Sequence, residues 1–169
     1  MKKNLVLLGM MGVGKSALGK IVAKRQGYKF IDTDLRIEKK FSMTIREIFE
    51  KKGEEFFRLS EEKEVLNSLK ESKCIIALGG GAFMNKNVRN AILKDSLSIW
   101  LDVDLKILNK RIKRNIKRPL LDKNNNEKKI SKIYTERKNI YKLANHKIDC
   151  DNLEINKVVE NILKIYEKY

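Results

Sequence analysis

Leu5-Val6-Leu7-Leu8 runs directly into Gly9-Met10-Met11-Gly12-Val13-Gly14-Lys15-Ser16, and this junction decides the fold. The apolar run has the continuity of a strand buried on both faces. Gly9 to Ser16 fits G-x-x-x-x-G-K-[ST] in full, in the context that motif requires, a strand before and a helix after. The helix is predicted over 15–26 and stops at Gly27, a C-cap. The glycines let the backbone turn its N–H groups inward as an anion nest, and the helix N-terminus adds partial positive charge. Lys15 reaches the β- and γ-phosphates of a nucleotide, and the Ser16 hydroxyl can ligate the Mg²⁺ that bridges them. Gly12, Val13, Gly14, Lys15, Ser16 and Ala17 are the candidate nucleotide contacts. The same glycines also offer Gly12-Val13-Gly14 then Ala17, a dinucleotide fingerprint, with Asp32 or Asp34 as the acidic residue about 20 positions on. Lys15-Ser16 argues against it, since a dinucleotide fold has no use for that pair.

Outward from this loop, strands and helices alternate. Further strands are predicted at 29–31, 74–78, 97–101 and 147–150. Helices are predicted at 34–40, from Ser42 or Thr44 up to Gly53, and at 54–71, 104–114, 128–143 and 155–166. Thr44 and Glu47 are spaced as a capping box. Such alternation specifies an α/β three-layer sandwich with a five-stranded, mainly parallel sheet, and with the phosphate loop it resembles the P-loop NTPases, the nucleoside-monophosphate kinases among them. The expectation is one domain over 1–169. Residues 115–126, with the single proline Pro119 and Asn124-Asn125-Asn126, read as a loop; a lid is expected over about 112–126. Ligands of parallel sheets sit at the carboxyl ends of strands, which puts the phosphate loop, Asp32-Thr33-Asp34 and Gly79-Gly80-Gly81 on one rim.

The 169 residues, 42% apolar, suffice for one sizeable core. The 38 Lys+Arg against 22 Asp+Glu give a net charge of +16, which attracts polyanions, whether nucleic acid or small phosphorylated and carboxylated molecules. The lysines are dispersed, as at Lys39-Lys40, Lys51-Lys52 and Lys128-Lys129, which reads as solvated surface. No basic segment is interleaved with aromatics, as stacking on single-stranded nucleic acid requires. Cys74 and Cys150 have no metal-type spacing, and both fall in predicted strands as buried thiols. No apolar run reaches the roughly 20 residues of a membrane span. Met1-Lys2-Lys3 and the following apolar residues superficially resemble a signal peptide but pass straight into the glycine loop. A cytoplasmic protein is expected.

Asp32-Thr33-Asp34 ends the second strand. Asp32 or Thr33 can serve as a helix N-cap. Two carboxylates on the ligand rim also invite a division of labour: one holds the Mg²⁺ hydration shell, the other accepts the proton of an attacking hydroxyl. Ile75-Ile76-Ala77-Leu78 ends in glycine rather than aspartate, so the metal's carboxylate must come from elsewhere, and Asp32 is the nearest candidate.

At this point the chain resembles the shikimate kinases over nearly its whole length. Beyond the phosphate loop and Asp32-Thr33-Asp34, the resemblance is carried by Gly53-Glu54-x-x-Phe57-Arg58-x-x-Glu61 and Gly79-Gly80-Gly81-Ala82. Arg118-Pro119-Leu120-Leu121 and Tyr134-x-x-Arg137-x-x-x-Tyr141 complete the order. It implies transfer of the terminal phosphate of ATP, with Mg²⁺, to the 3-hydroxyl of shikimate, giving shikimate 3-phosphate and ADP in aromatic amino-acid biosynthesis, by a monomer with no nucleic-acid partner. Asp34 would bind a shikimate hydroxyl and act as base. Arg58 and Arg137 would hold the carboxylate, with Gly79, Gly80 and Gly81 letting the backbone approach the ring. Helices within about 34–62 would form the substrate-binding part. Arg118, on the lid, would reach the transferring phosphate, Arg111 would lie against adenine, and Asp32 with Ser16 would order Mg²⁺. A guanidinium fork suits a small carboxylate. Taken alone, Arg58 also fits helical pairing with Glu54, Glu61 or Glu62, and Arg137 fits solvated surface. Tyr134 and Tyr141 share a helix face and read equally as core. His146 is assigned no role. One departure stands out: where the family often carries Arg and Pro, beside adenine, this chain has Asp149-Cys150-Asp151-Asn152-Leu153-Glu154. The rival readings are a gluconate or nucleoside-monophosphate kinase, and a non-catalytic nucleic-acid binder.

Overall fold

A computed structural model describes residues 3–113, 126–151 and 153–169. Strand β1 (Asn4–Leu8) is buried at every position, as a continuous apolar run between two helical layers must be. It lies at the centre of a five-stranded sheet with β2 (Lys29–Asp32), β3 (Cys74–Ala77), β4 (Ser96–Asp102) and β5 (His146–Asp149), in the order β2-β3-β1-β4-β5. All four pairings are parallel, with Leu7 opposite Ala77 and Ile99, and Asp32 opposite Ala77. The carboxyl ends of β1, β2 and β3 therefore share one rim.

Helix α1 (Lys15–Gln26) starts at Gly14 and ends at Gly27, whose left-handed φ of 65° lets its amide turn back to the carbonyls of Ala23 and Lys24. It packs on β1 and β3 beside α7 (Ile155–Glu167). Helix α2 (Thr33–Phe41) is capped by Asp32. Helix α3 (Ile45–Leu69) opens with the expected capping box: Thr44 Oγ1 accepts from the Glu47 amide and a Glu47 carboxylate oxygen accepts from the Thr44 amide. Gly53 interrupts α3 at φ 84°, ψ 165°, a backbone that side chains avoid, so the expected break between two helices lies there. Ile37, Ile48 and Phe57 form a small second core between α2 and α3, with Phe41, Phe49 and Phe56 against it.

Helix α4 (Lys86–Asp95) lies outside the sequence reading. Asn85 caps it, its side-chain oxygen accepting from the amides of Asn87 and Val88, while Val88 and Ile92 form a buried stripe one turn apart. Helices α5 (Leu105–Lys113) and α6 (Asn126–Tyr141) flank the expected lid, of which residues 114–125 lie outside the described residues. β5 begins and ends one residue earlier than expected, so Cys150 falls just beyond it. Its amide still donates to the Asp102 carbonyl at 2.8 Å, and both cysteines are buried. His146 opens this edge strand and is exposed. Among the described residues no helix is long and apolar enough to cross a membrane.

Candidate active site

The nucleotide end is built from the β1–α1 turn. Gly12 and Gly14 adopt φ of 81° and 104°, in the left-handed region glycine tolerates, and a Cβ on Gly9 would collide with the carbonyl of Leu101. Lys15 is buried, and its ammonium donates to the carbonyls of Gly9 and Met10 at 2.9 Å each. The positive charge is thus held over its own loop. Val13 and Ala17 join Gly12 and Gly14 along a cavity of about 460 Å³ that Arg111 and Cys150 also line. Arg111 Nη1 donates to the carbonyl of Val13 at 3.4 Å. Burial pushes the Cys150 thiol up to about 11, so it stays protonated.

Ser16 Oγ donates to Asp32 Oδ2 at 2.5 Å, while Asp32 Oδ1 accepts from the Leu35 amide at 3.1 Å. The helix cap and the bond from the Ser16 hydroxyl thus use different oxygens of one carboxylate. A hydroxyl and a carboxylate suit Mg²⁺, which takes few protein ligands and fills its octahedron with water and phosphate oxygens. Among the described residues no cluster of three His, Cys, Asp or Glu could hold a metal by itself.

Beside Ser16 and Asp32 opens a cleft of about 310 Å³, lined among others by Asp34, Arg58, Glu61, Gly80, Gly81 and Arg137. The two arginines reach it from α3 and α6 and meet at the glycine turn. A Cβ on Gly81 would lie 2.5 Å from Arg58 Nη1, one on Gly80 would lie 3.2 Å from Arg137 Nη1, and one on Gly79 would lie 2.5 Å from Asp34 Oδ1. Gly80 and Gly81 each make room for one guanidinium, and Gly79 makes room for two carboxylates, Asp34 and, at 2.7 Å, Glu61. Thr33 holds the turn to the end of β2: its hydroxyl donates to Ala77 O at 3.4 Å and accepts from the Gly79 amide at 3.0 Å.

Arg58 also makes the bland contacts, pairing with Glu61 at 2.9 Å and Glu54 at 3.2 Å. Its guanidinium lies over the rings of Phe57 and Phe49 at 5.2 and 5.9 Å. The helical pairing and the cleft position coexist, because the carboxylates hold the fork from one side. Glu61 was given no role from sequence. It is buried at 3% exposure, and burial raises its carboxyl above the ordinary value against the pull of Arg58 and Arg137. The signal was present in its spacing: Phe57, Glu61, Val65 and Ser68 form the buried face of α3. The two tyrosines divide. Tyr134 donates to Asp102 at 3.1 Å, which with burial pushes its phenol up to about 12. Tyr141 is buried and donates to Gly80 O. Arg118 lies outside the described residues.

A model of the family described as "Shikimate kinase" matches residues 11–167. The chain belongs to the shikimate kinase family. Shikimate kinases are ATP-dependent phosphotransferases, so membership makes this chain an enzyme of that kind. It is 40% identical over 168 residues to the shikimate kinase of Bartonella quintana (strain Toulouse), covering 99% of this chain and 80% of that one. It is also 40% identical over 165 residues to the shikimate kinase of Bacillus subtilis (strain 168), covering 96% and 88%. Among solved structures it is similar to the shikimate kinase of Acinetobacter baumannii in complex with shikimate, with a TM-score of 0.94 and 29% identity over 98% of this chain and 93% of that one. A gluconokinase from Sinorhizobium meliloti 1021 shares the fold, with a TM-score of 0.63 at 12% identity. Family membership thus answers the rivalry that the phosphate loop alone leaves open.

Proposed function

We propose that this chain phosphorylates the 3-hydroxyl of shikimate, giving shikimate 3-phosphate and ADP, in the cleft between the phosphate loop and the glycine turn. The observation that carries the reading is the convergence of Arg58 and Arg137 on Gly80 and Gly81, with Asp34 at Gly79 and Ser16 on the same cleft wall. Two guanidinium forks at one end and a carboxylate at the other fit a small ring bearing a carboxylate and hydroxyls.

In this reading the backbone amides around Gly12 to Ala17 and the Lys15 ammonium hold the ATP phosphates, and Arg111 lies along the base. Arg58 and Arg137 fix the acceptor by its carboxylate, which aligns its hydroxyl with the γ-phosphate. Asp34 orients that hydroxyl and takes its proton as the bond to phosphorus forms. When bound between Ser16, Asp32 and the nucleotide, Mg²⁺ supplies neutralising charge on the phosphate oxygens. Arg118 and the lid over about 112–126 complete the charge and exclude water; their assignment rests on the sequence motif alone. The substrate-binding part, within about 34–62, corresponds to α2 and α3 up to residue 62, with their own small core, and the whole forms one kinase domain. A monomeric cytoplasmic enzyme without a nucleic-acid partner completes the reading. The exposed, scattered Lys39, Lys40, Lys51, Lys52 and Lys128 support a solvated surface over a nucleic-acid groove.

The test is ADP release coupled to NADH oxidation, with shikimate, gluconate and nucleoside monophosphates as acceptors. Release that depends on shikimate is expected. Equal release with gluconate, or release indifferent to any acceptor, would overturn the substrate assignment.

A further inference from the structure

Tyr141 closes α6 and is fully buried, yet its hydroxyl is committed to polar work: it donates to the carbonyl of Gly80. Arg137 lies one turn earlier on the same helix face. Its Nη1 stands against Gly80, 3.2 Å from where a Cβ would lie, and its charge opposes the burial that raises the Tyr141 phenol. A phenol donates one hydrogen and accepts through its oxygen lone pairs. With the hydrogen given to Gly80, the oxygen keeps its lone pairs for a donor, and the Arg137 guanidinium is the cation one turn away on the same helix face.

We propose that Tyr141 is a positioning residue for shikimate binding, its hydroxyl fixing the Gly80 peptide and the Arg137 guanidinium relative to each other. One atom then sets both the turn that meets the ring and the fork that meets the carboxylate. The proposal rests on the assignment of Arg137 and Gly80 to shikimate. Packing does not account for the hydroxyl. The ring lies against Trp100 on β4 with centroids 5.9 Å apart, and a phenylalanine would fill the same space. Tyr141 Oη also lies 4.0 Å from Met10 Sδ, so the end of α6 is seated on the phosphate loop as well as on the sheet.

The experiment compares Tyr141→Phe, Arg137→Lys and the double variant by steady-state kinetics and thermal unfolding. Tyr141→Phe is expected to raise the shikimate KM about tenfold, with kcat and the MgATP KM changed by less than about twofold, because the hydroxyl acts on binding in ground and transition states alike. The double variant is expected to bind shikimate no more than about twofold worse than Arg137→Lys alone, since the two residues act as one unit. A lowered unfolding midpoint with an unchanged shikimate KM in Tyr141→Phe, beside a raised KM in Arg137→Lys, would make the hydroxyl purely structural and overturn the proposal. Effects that multiply in the double variant would overturn the link through Arg137. An unchanged KM in Arg137→Lys would instead sink the site assignment itself. If Tyr141→Phe is too unstable for assay, calorimetric shikimate affinity at low temperature reads the same tenfold change.

Discussion

From Gly9 to Ser16 the nucleotide end occupies one unbroken stretch of chain. The acceptor end draws Asp34 from α2, Arg58 from α3, three glycines from the turn after β3 and Arg137 from α6. The first presents mainly backbone, and its glycines are required by left-handed φ at Gly12 and Gly14. The second presents mainly side chains. Its glycines have no such φ; a Cβ there would instead displace Asp34 and Glu61 at Gly79 or Arg58 at Gly81, and would crowd Arg137 at Gly80. A backbone nest can be encoded locally, whereas converging side chains depend on how four elements pack.

The largest expected effect is at the local end. Lys15→Ala should lower kcat by about a thousandfold or more, since the lysine neutralises charge on the transferring group. An intact circular dichroism spectrum would show that the loss is chemical, and a loss under tenfold would break the nucleotide half of the comparison. Asp34→Asn should lower kcat by about a hundredfold or more, because the amide cannot take the hydroxyl proton. A rate within a few fold of wild type in single-turnover assays would remove Asp34 as base. Arg58→Ala should raise the shikimate KM about thirtyfold while the MgATP KM moves less than twofold, the charge-assisted fork being lost at one end only. An equal rise in both constants would show that the two ends are not separable.

Gly81→Ala sharpens the contrast between the two kinds of glycine. The added Cβ displaces Arg58 without straining the backbone, so the shikimate KM should rise about tenfold while the unfolding midpoint falls by only a few degrees. Gly14→Ala, at φ 104°, should instead raise the MgATP KM. Reversed dependences in the two variants would erase the distinction. The smallest effect concerns Glu61, whose carboxyl is raised above the ordinary 4.5 by burial, against the attraction of Arg58 and Arg137. A raised folded value means that its contribution to stability is fully present below about 4.5 and is lost as pH climbs through the folded value. The stability of wild type relative to Glu61→Gln, from urea unfolding, should therefore fall from pH 4.5 toward neutrality. A difference that grows with pH would contradict the burial account.

The strands, the phosphate loop, the Gly27 cap and the Thr44 box were legible because each rests on a short pattern with a local cause. Helix α4 lies outside the sequence reading, although Asn85 and the Val88–Ile92 spacing are local signals for it. For Glu61 the sequence offers its place in the motif and its pairing with Arg58, which forms, but its burial shows only in its place on the apolar face of α3. For Arg58, the ion pairs to Glu54 and Glu61 and the position in the cleft were weighed as competitors, and packing satisfies both. Tyr141 was left between core and function; the contact of its hydroxyl with Gly80 lies in the pairing of two segments far apart in the chain.

By itself the sequence determined the alternating architecture, the anion nest and the chemical types in the site, because hydrophobic period, glycine placement and helix ends act over a few residues. The meeting of Arg58 and Arg137 at Gly80 and Gly81, the use of both Asp32 oxygens and the buried state of Glu61 were decided only by tertiary structure. Those relations join segments up to 79 positions apart, Arg58 to Arg137, and only the parallel register of β1, β2 and β3, with α3 and α6 packed around it, brings them together.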